Sequence, residues 1–194
     1  MKLLAVAFAV GGLFFVQYIA KLLFRRKSLL FSMALLQLLF AILLWVLFKV
    51  SFSFAVRFDG IVWFSVLIII MIILGRFLGA QSIRLPRYLK SKDIVAIAIL
   101  LPLSEELIFR GTVLSALPIP ALNALIFTCI HLPNTFLSKL ERFSVFNLAY
   151  RFAVGMIFAD ATLKSGSIFP ALFYHVANNS LALLISNRPQ RLNI

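Results

Sequence analysis

The chain has 194 residues, of which 63% are hydrophobic and 13% charged, well beyond the roughly 45–50% apolar share of a water-soluble domain. The formal net charge of +13 would suit nucleic acid, but the basic residues fall in short clusters between apolar runs and line no polar face, which argues against that partner. Cys129 is the single cysteine, so no intrachain disulfide can form, and the residue is expected to pack as a small apolar side chain.

A helix needs about 20 predominantly apolar residues to cross the hydrocarbon of a bilayer. Seven segments meet or approach that requirement: 3–24, 29–48, 58–80, 94–117, 119–137, 144–163 and 168–186. The first resembles a signal peptide at Met1-Lys2-Leu3, but it runs past Gly11-Gly12 without a small-x-small cleavage site and reads as a retained helix. The second, Leu29 to Phe48, is interrupted only by Ser32 and Gln37, and the third holds the apolar run Ile61 to Leu74. The pattern predicts an all-α, polytopic integral membrane bundle of about seven transmembrane helices, with membrane lipid as a partner.

Basic residues in the connections alternate in density. Lys21, Arg25, Arg26 and Lys27 follow the first segment, Arg76, Arg84, Arg87, Lys90 and Lys92 the third, Lys139 and Arg142 the fifth, and Arg188 and Arg191 the last. The opposite side has only Lys2, Lys49, Arg57 and Lys164. The richer side should face the cytoplasm, which predicts a multi-pass protein of the cell membrane with its N-terminus outside and its C-terminus inside. No internal repeat or long linker divides the chain. Residues 1–92 read as about three N-terminal helices with basic loops, 93–186 as a polar-centred four-helix core, and 187–194 as a short basic tail.

The core holds charged and polar groups inside predicted spans. Such groups cost on the order of 2.5–3.5 kcal/mol each at a helix centre, so they face the bundle interior and find partners. In Ser104-Glu105-Glu106-Leu107-Ile108-Phe109-Arg110, Glu106 and Arg110 lie four apart on one face, in the favourable acid-then-base order for an intrahelical ion pair. Glu105 is rotated about 140° from Arg110 and has no such partner in its own helix. An isolated carboxyl among apolar groups is the type of group that general acid or base catalysis employs. Pro102, one turn earlier, can kink this helix.

The fifth segment carries Phe127 and His131, and the seventh carries His175 and Asn179, again four apart and on one face. Glu105 with His131 could deprotonate a water, and His175 with Asn179 could donate to a developing oxyanion. The sixth segment would close the back of this pocket. Its Arg151 and Asp160 point to opposite sides: Arg151 snorkels or meets a carboxylate of another helix, and Asp160 belongs near the outer interface.

The order Glu-Glu-x-x-x-Arg, Phe-x-x-x-His and His-x-x-x-Asn on successive spans resembles the three motifs of the CPBP family, the CAAX-processing and bacteriocin-processing (Abi) intramembrane proteases. The stretch Lys164 to Pro170 is similar to that family's approach to its last motif helix. Over roughly 93–186, the resemblance implies a glutamate-dependent endopeptidase acting on a membrane-associated peptide, such as a prenylated or leader-peptide substrate. Glu105 and His131 would activate water, His175 and Asn179 would stabilise the oxyanion, and Glu106, Arg110 and Phe127 would support them. No cofactor is expected, although the family has also been described as metalloproteases and two His with a Glu and an Asn could hold a divalent ion. Two rival readings keep the same residues: a non-catalytic immunity or partner-binding membrane protein using them as polar glue, and a proton-coupled transporter.

Overall fold

The computed structural model describes residues 2–24, 29–50, 52–77, 90–132 and 144–186. Among them are seven helices and one isolated β-bridge, an all-α architecture. We number the helices α1 (Lys2–Leu23), α2 (Leu29–Phe48), α3 (Ile61–Phe77), α4 (91–116), α5 (Pro120–Ile130), α6 (Val145–Ser165) and α7 (Phe169–Ser186). Of the basic residues used for the topology, Arg25, Arg26, Lys27, Arg84, Arg87, Lys139, Arg142, Arg188 and Arg191 lie outside the described residues, as does the 187–194 tail.

Two of these helices, α1 and α2, are long and apolar enough to cross a membrane, where the sequence predicts about seven spans. Four of the other five fall short for identifiable reasons. The third segment starts at Ile61, after Gly60 at φ +85°, and residues 78–80 lie outside the described part. The described helix of the fifth segment ends at Ile130, and residues 133–137 lie outside the described part. In α4 and α6, ionisable residues interrupt the apolar run: Lys92, Asp93, Glu105, Glu106 and Arg110 in the first, Arg151, Asp160 and Lys164 in the second. Large apolar side chains nevertheless face outward, among them Phe15 on α1, Leu39 and Val46 on α2, and Val62 and Trp63 on α3.

Local sequence sets the helix ends. Pro120 opens α5 at a position where its missing N–H costs nothing. Ser144 caps α6, its hydroxyl accepting from the Asn147 amide at 3.4 Å, and Gly166 ends that helix at φ +63°. Helix α4 runs on past Pro102 by changing pitch: Ala96–Leu100 and Leu107–Val113 are π-helical and bracket the α-helical turn Leu101–Glu106. Such wide turns inside an α-helix commonly occur at functional sites.

Packing forms two apolar clusters. One joins Ala9 and Leu13 of α1, Ala41 and Leu44 of α2, Leu107, Ile108 and Phe109 of α4, and Phe127 of α5. The other joins Phe64 of α3, Val154 and Phe158 of α6, and Tyr174 of α7. Small residues let helices approach closely, as in membrane bundles generally. Gly155 of α6 is the tightest constraint against backbone, since a Cβ there would lie 3.1 Å from Cα and Cβ of Ala124 on α5. Gly155→Ala should therefore destabilise the fold by about 1–3 kcal/mol through overpacking, read as a lower midpoint in thermal melting of the detergent-solubilised protein.

The segment after α2 is fastened to the α6–α7 corner. Ser53 N–H donates to Gly166 O at 3.0 Å, Ile168 N–H donates to Ser53 O at 2.9 Å, and Ser167 Oγ donates to Ala55 O at 2.7 Å. Tyr174 of α7 reaches the same segment, donating to Asp59 O at 2.9 Å. Cys129, expected to pack as a small apolar side chain, is exposed, because α5 turns the face of Ala124, Phe127 and Thr128 inward. Asp160 pairs with Lys164 at 2.7 Å on an open face of α6.

Candidate active site

The site forms where the two apolar clusters meet. Arg110 lies fully buried between the rings of Phe127 and Phe158, 4.7 and 5.2 Å from their centroids. Burying a guanidinium is costly unless it is paired. Its Nη1 donates to Glu106 Oε1 at 3.2 Å, the ion pair that the four-residue spacing predicts, and its Nη2 donates to Gly155 O at 3.3 Å. The same Glu106 oxygen accepts from Nδ1 of His175 at 2.7 Å. Glu106 is thus wholly buried and links α4 to α7, out of reach of a substrate.

Glu105 approaches the other side of the same His175 ring. Its Oε2 lies 3.8 Å from Nε2 of His131 and 3.7 Å from Nε2 of His175, with its side chain 16% exposed. The opposite nitrogen of each ring is engaged: Nδ1 of His131 meets Phe127 O at 2.7 Å and Nδ1 of His175 meets Glu106. A backbone carbonyl can only accept, so Nδ1 of His131 carries the proton. With Nδ1 of each ring engaged, both imidazoles turn Nε2 towards Glu105. Separations just beyond direct hydrogen bonding suit a bridging water. Phe127 meets the His131 ring at a tilt, 4.7 Å between centroids, and His175 edge-on at 6.0 Å, fixing the position of both.

Glu105, His131 and His175 are therefore brought together from three helices. Asn179, which the sequence reading pairs with His175 as two donors side by side, also has a partner in another helix. Its Nδ2 donates to Ile97 O of α4 at 3.0 Å, and His175 has its Nδ1 committed to Glu106. Asn178, the alternative amide, accepts from the Tyr150 hydroxyl of α6. Helix α6 does close the back of the site, supplying Tyr150, Gly155 and Phe158, whose ring lies 5.6 Å from that of His175. Neither Phe158 nor the Glu106–His175 bond carries a signal in the sequence, since both depend on how separate helices cross. Arg151, also on α6, lies close enough for its charge to act on Glu105 and His131.

Among the described residues no group of three or more His, Cys, Asp or Glu side chains is arranged to hold a metal ion. Two shallow apolar grooves border α3 and α6, around Trp63 and Ile157, and none of the site residues lines them.

A carboxyl facing two oriented imidazoles, with a buried carboxylate behind one of them, is an arrangement for acid–base hydrolysis carried in an α-helical bundle. Residues 89–181 match the model of the family described as Type II CAAX prenyl endopeptidase Rce1-like. That match and the buried Glu-Glu-His cluster together support a CPBP-type hydrolase assignment. No curated protein and no solved structure matches the chain.

Proposed function

We propose that the protein is an intramembrane endopeptidase that hydrolyses a peptide bond of a membrane-associated substrate, prenylated or carrying a leader peptide. The observation that carries this reading is Glu105 Oε2 placed 3.8 and 3.7 Å from two imidazole Nε2 atoms whose opposite nitrogens are already occupied. Water held between Glu105 and His131 would donate to these acceptors and keep a lone pair for attack on the scissile carbonyl. Glu105 with His131 takes the water's proton. His175, backed by Glu106 in the manner of a carboxylate-oriented imidazole, takes that same proton from Glu105 at Nε2 and gives it to the leaving amine as the C–N bond breaks. Asn179 keeps a second amide N–H beyond the one given to Ile97 O, and this N–H serves the oxyanion.

The membrane setting is part of the same proposal: a multi-pass protein, N-terminus outside and C-terminus cytoplasmic, in contact with lipid along its first three helices. The apolar length of α1 and α2 and the outward-facing apolar residues support it.

The test is a peptidase screen of the detergent-purified protein, with and without chelator, comparing wild type with His131→Ala and His175→Ala. Each substitution is expected to lower kcat by about 10²–10⁴, the range for losing a positioned acid or base. Cleavage at the wild-type rate in both variants would remove these imidazoles from the mechanism.

A further inference from the structure

Helix α4 contains a backbone defect next to its two glutamates. In the first π-helical turn, Leu101 N–H donates to Ala96 O, five residues back. At the same spacing, the donor for Ile97 O would be residue 102, and Pro102 has no N–H. The carbonyl is supplied from another helix, by Asn179 Nδ2 at 3.0 Å. That amide is itself oriented. The Tyr150 hydroxyl donates to Asn178 Oδ1, which turns Asn178 Nδ2 towards Asn179 Oδ1 at 3.4 Å and so aims Asn179 Nδ2 at Ile97. Each bond fixes the orientation of the next amide, because an Asn oxygen can only accept and its nitrogen can only donate.

We propose that Tyr150 is a positioning residue: through Asn178 and Asn179 it supplies the donor that Pro102 withholds from Ile97, and thereby holds the Leu101–Glu106 turn that presents Glu105 to the two histidines. The inference deepens the hydrolase reading and rests on it for its kinetic consequence alone. The relay connects three helices, α6, α7 and α4, and its first member lies outside the three sequence motifs.

The experiment is a double-substitution cycle on the full chain in detergent. Tyr150→Phe deletes one oxygen, and Pro102→Ala restores an N–H inside α4. Tyr150→Phe alone should speed amide hydrogen exchange in 101–107 and lower kcat, each about fivefold for one lost hydrogen bond, with KM unchanged. In the Pro102→Ala background the same substitution should no longer change the exchange of 101–107, since Ile97 O then has a donor within its own helix. Equal effects on exchange in both backgrounds, or no effect in either, would overturn the proposal. If Pro102→Ala does not fold, Tyr150→Phe is combined with Asn178→Leu. A relay predicts that the double variant exchanges like Asn178→Leu, whereas additive effects refute it. Should wild type cleave no peptide, the hydrolase reading falls while the exchange measurement still decides the relay.

Discussion

Glu105→Gln should abolish peptide hydrolysis while leaving the protein folded. The substitution keeps the shape of the side chain and removes its capacity to accept a proton, the one property the proposed chemistry requires of it. General acid–base catalysis contributes roughly 10²–10⁴ in rate, so a fall in kcat of that size is expected. Stability should change little, because Glu105 is partly exposed and makes only long contacts, 3.7 and 3.8 Å, to its imidazole neighbours. The check is cleavage of a substrate found in the wild-type screen, alongside the thermal midpoint of both proteins. A variant that cleaves normally would show that the carboxylate is structural, as the partner-binding reading holds. A variant that is inactive only because it has unfolded would leave Glu105 among the structural residues as well.

Its neighbour in sequence should behave in the opposite way. Glu106→Gln replaces the carboxylate that the fully buried Arg110 faces at 3.2 Å and that also accepts from His175. Breaking a buried ion pair from one side costs about 3–5 kcal/mol, because the other charge stays desolvated and unbalanced. The expected result is a large drop in melting temperature and in the yield of folded protein, with loss of activity following from that loss. The double variant Glu106→Gln with Arg110→Met removes both charges and should recover a substantial part of the stability. If Glu106→Gln melts like wild type, the pair does not hold the bundle together, and Glu106 must be reconsidered as a direct participant in the reaction.

These two adjacent glutamates show how far the sequence can be read. Their placement was legible from helical geometry: Glu106 falls over Arg110, and Glu105 points elsewhere. The helices themselves were legible from apolar runs, with α2 found at the predicted 29–48 boundaries, because hydrophobicity and length act locally. Three features were not. The bond from His175 to Glu106 joins residues 69 positions apart and depends on the crossing of α4 and α7. The π-helical turns of α4 come from hydrogen-bond choices that no single residue dictates, so the partner of Asn179 turned out to be a backbone carbonyl. Cys129 faces outward because the helical rotation of α5 is set by Phe127 and Thr128, not by the character of the cysteine.

Over the described residues, two of the seven predicted spans, α1 and α2, are long and apolar enough to cross a membrane, and in α4 and α6 ionisable residues interrupt the apolar run. The polar groups that build the site are the same ones that lower the apolarity of their helices.

The fastening of Ser53 and Ala55 to Gly166, Ser167 and Ile168 ties the first part of the chain to the helices of the site. The helix bearing His175 begins directly after that corner, and the residues that clamp it belong to a stretch outside the family match. The pitch of the histidine-bearing rod is thus governed from a surface loop, where mutation is freer than in the catalytic interior. Variation in that loop can retune the active centre without altering any residue of the centre itself.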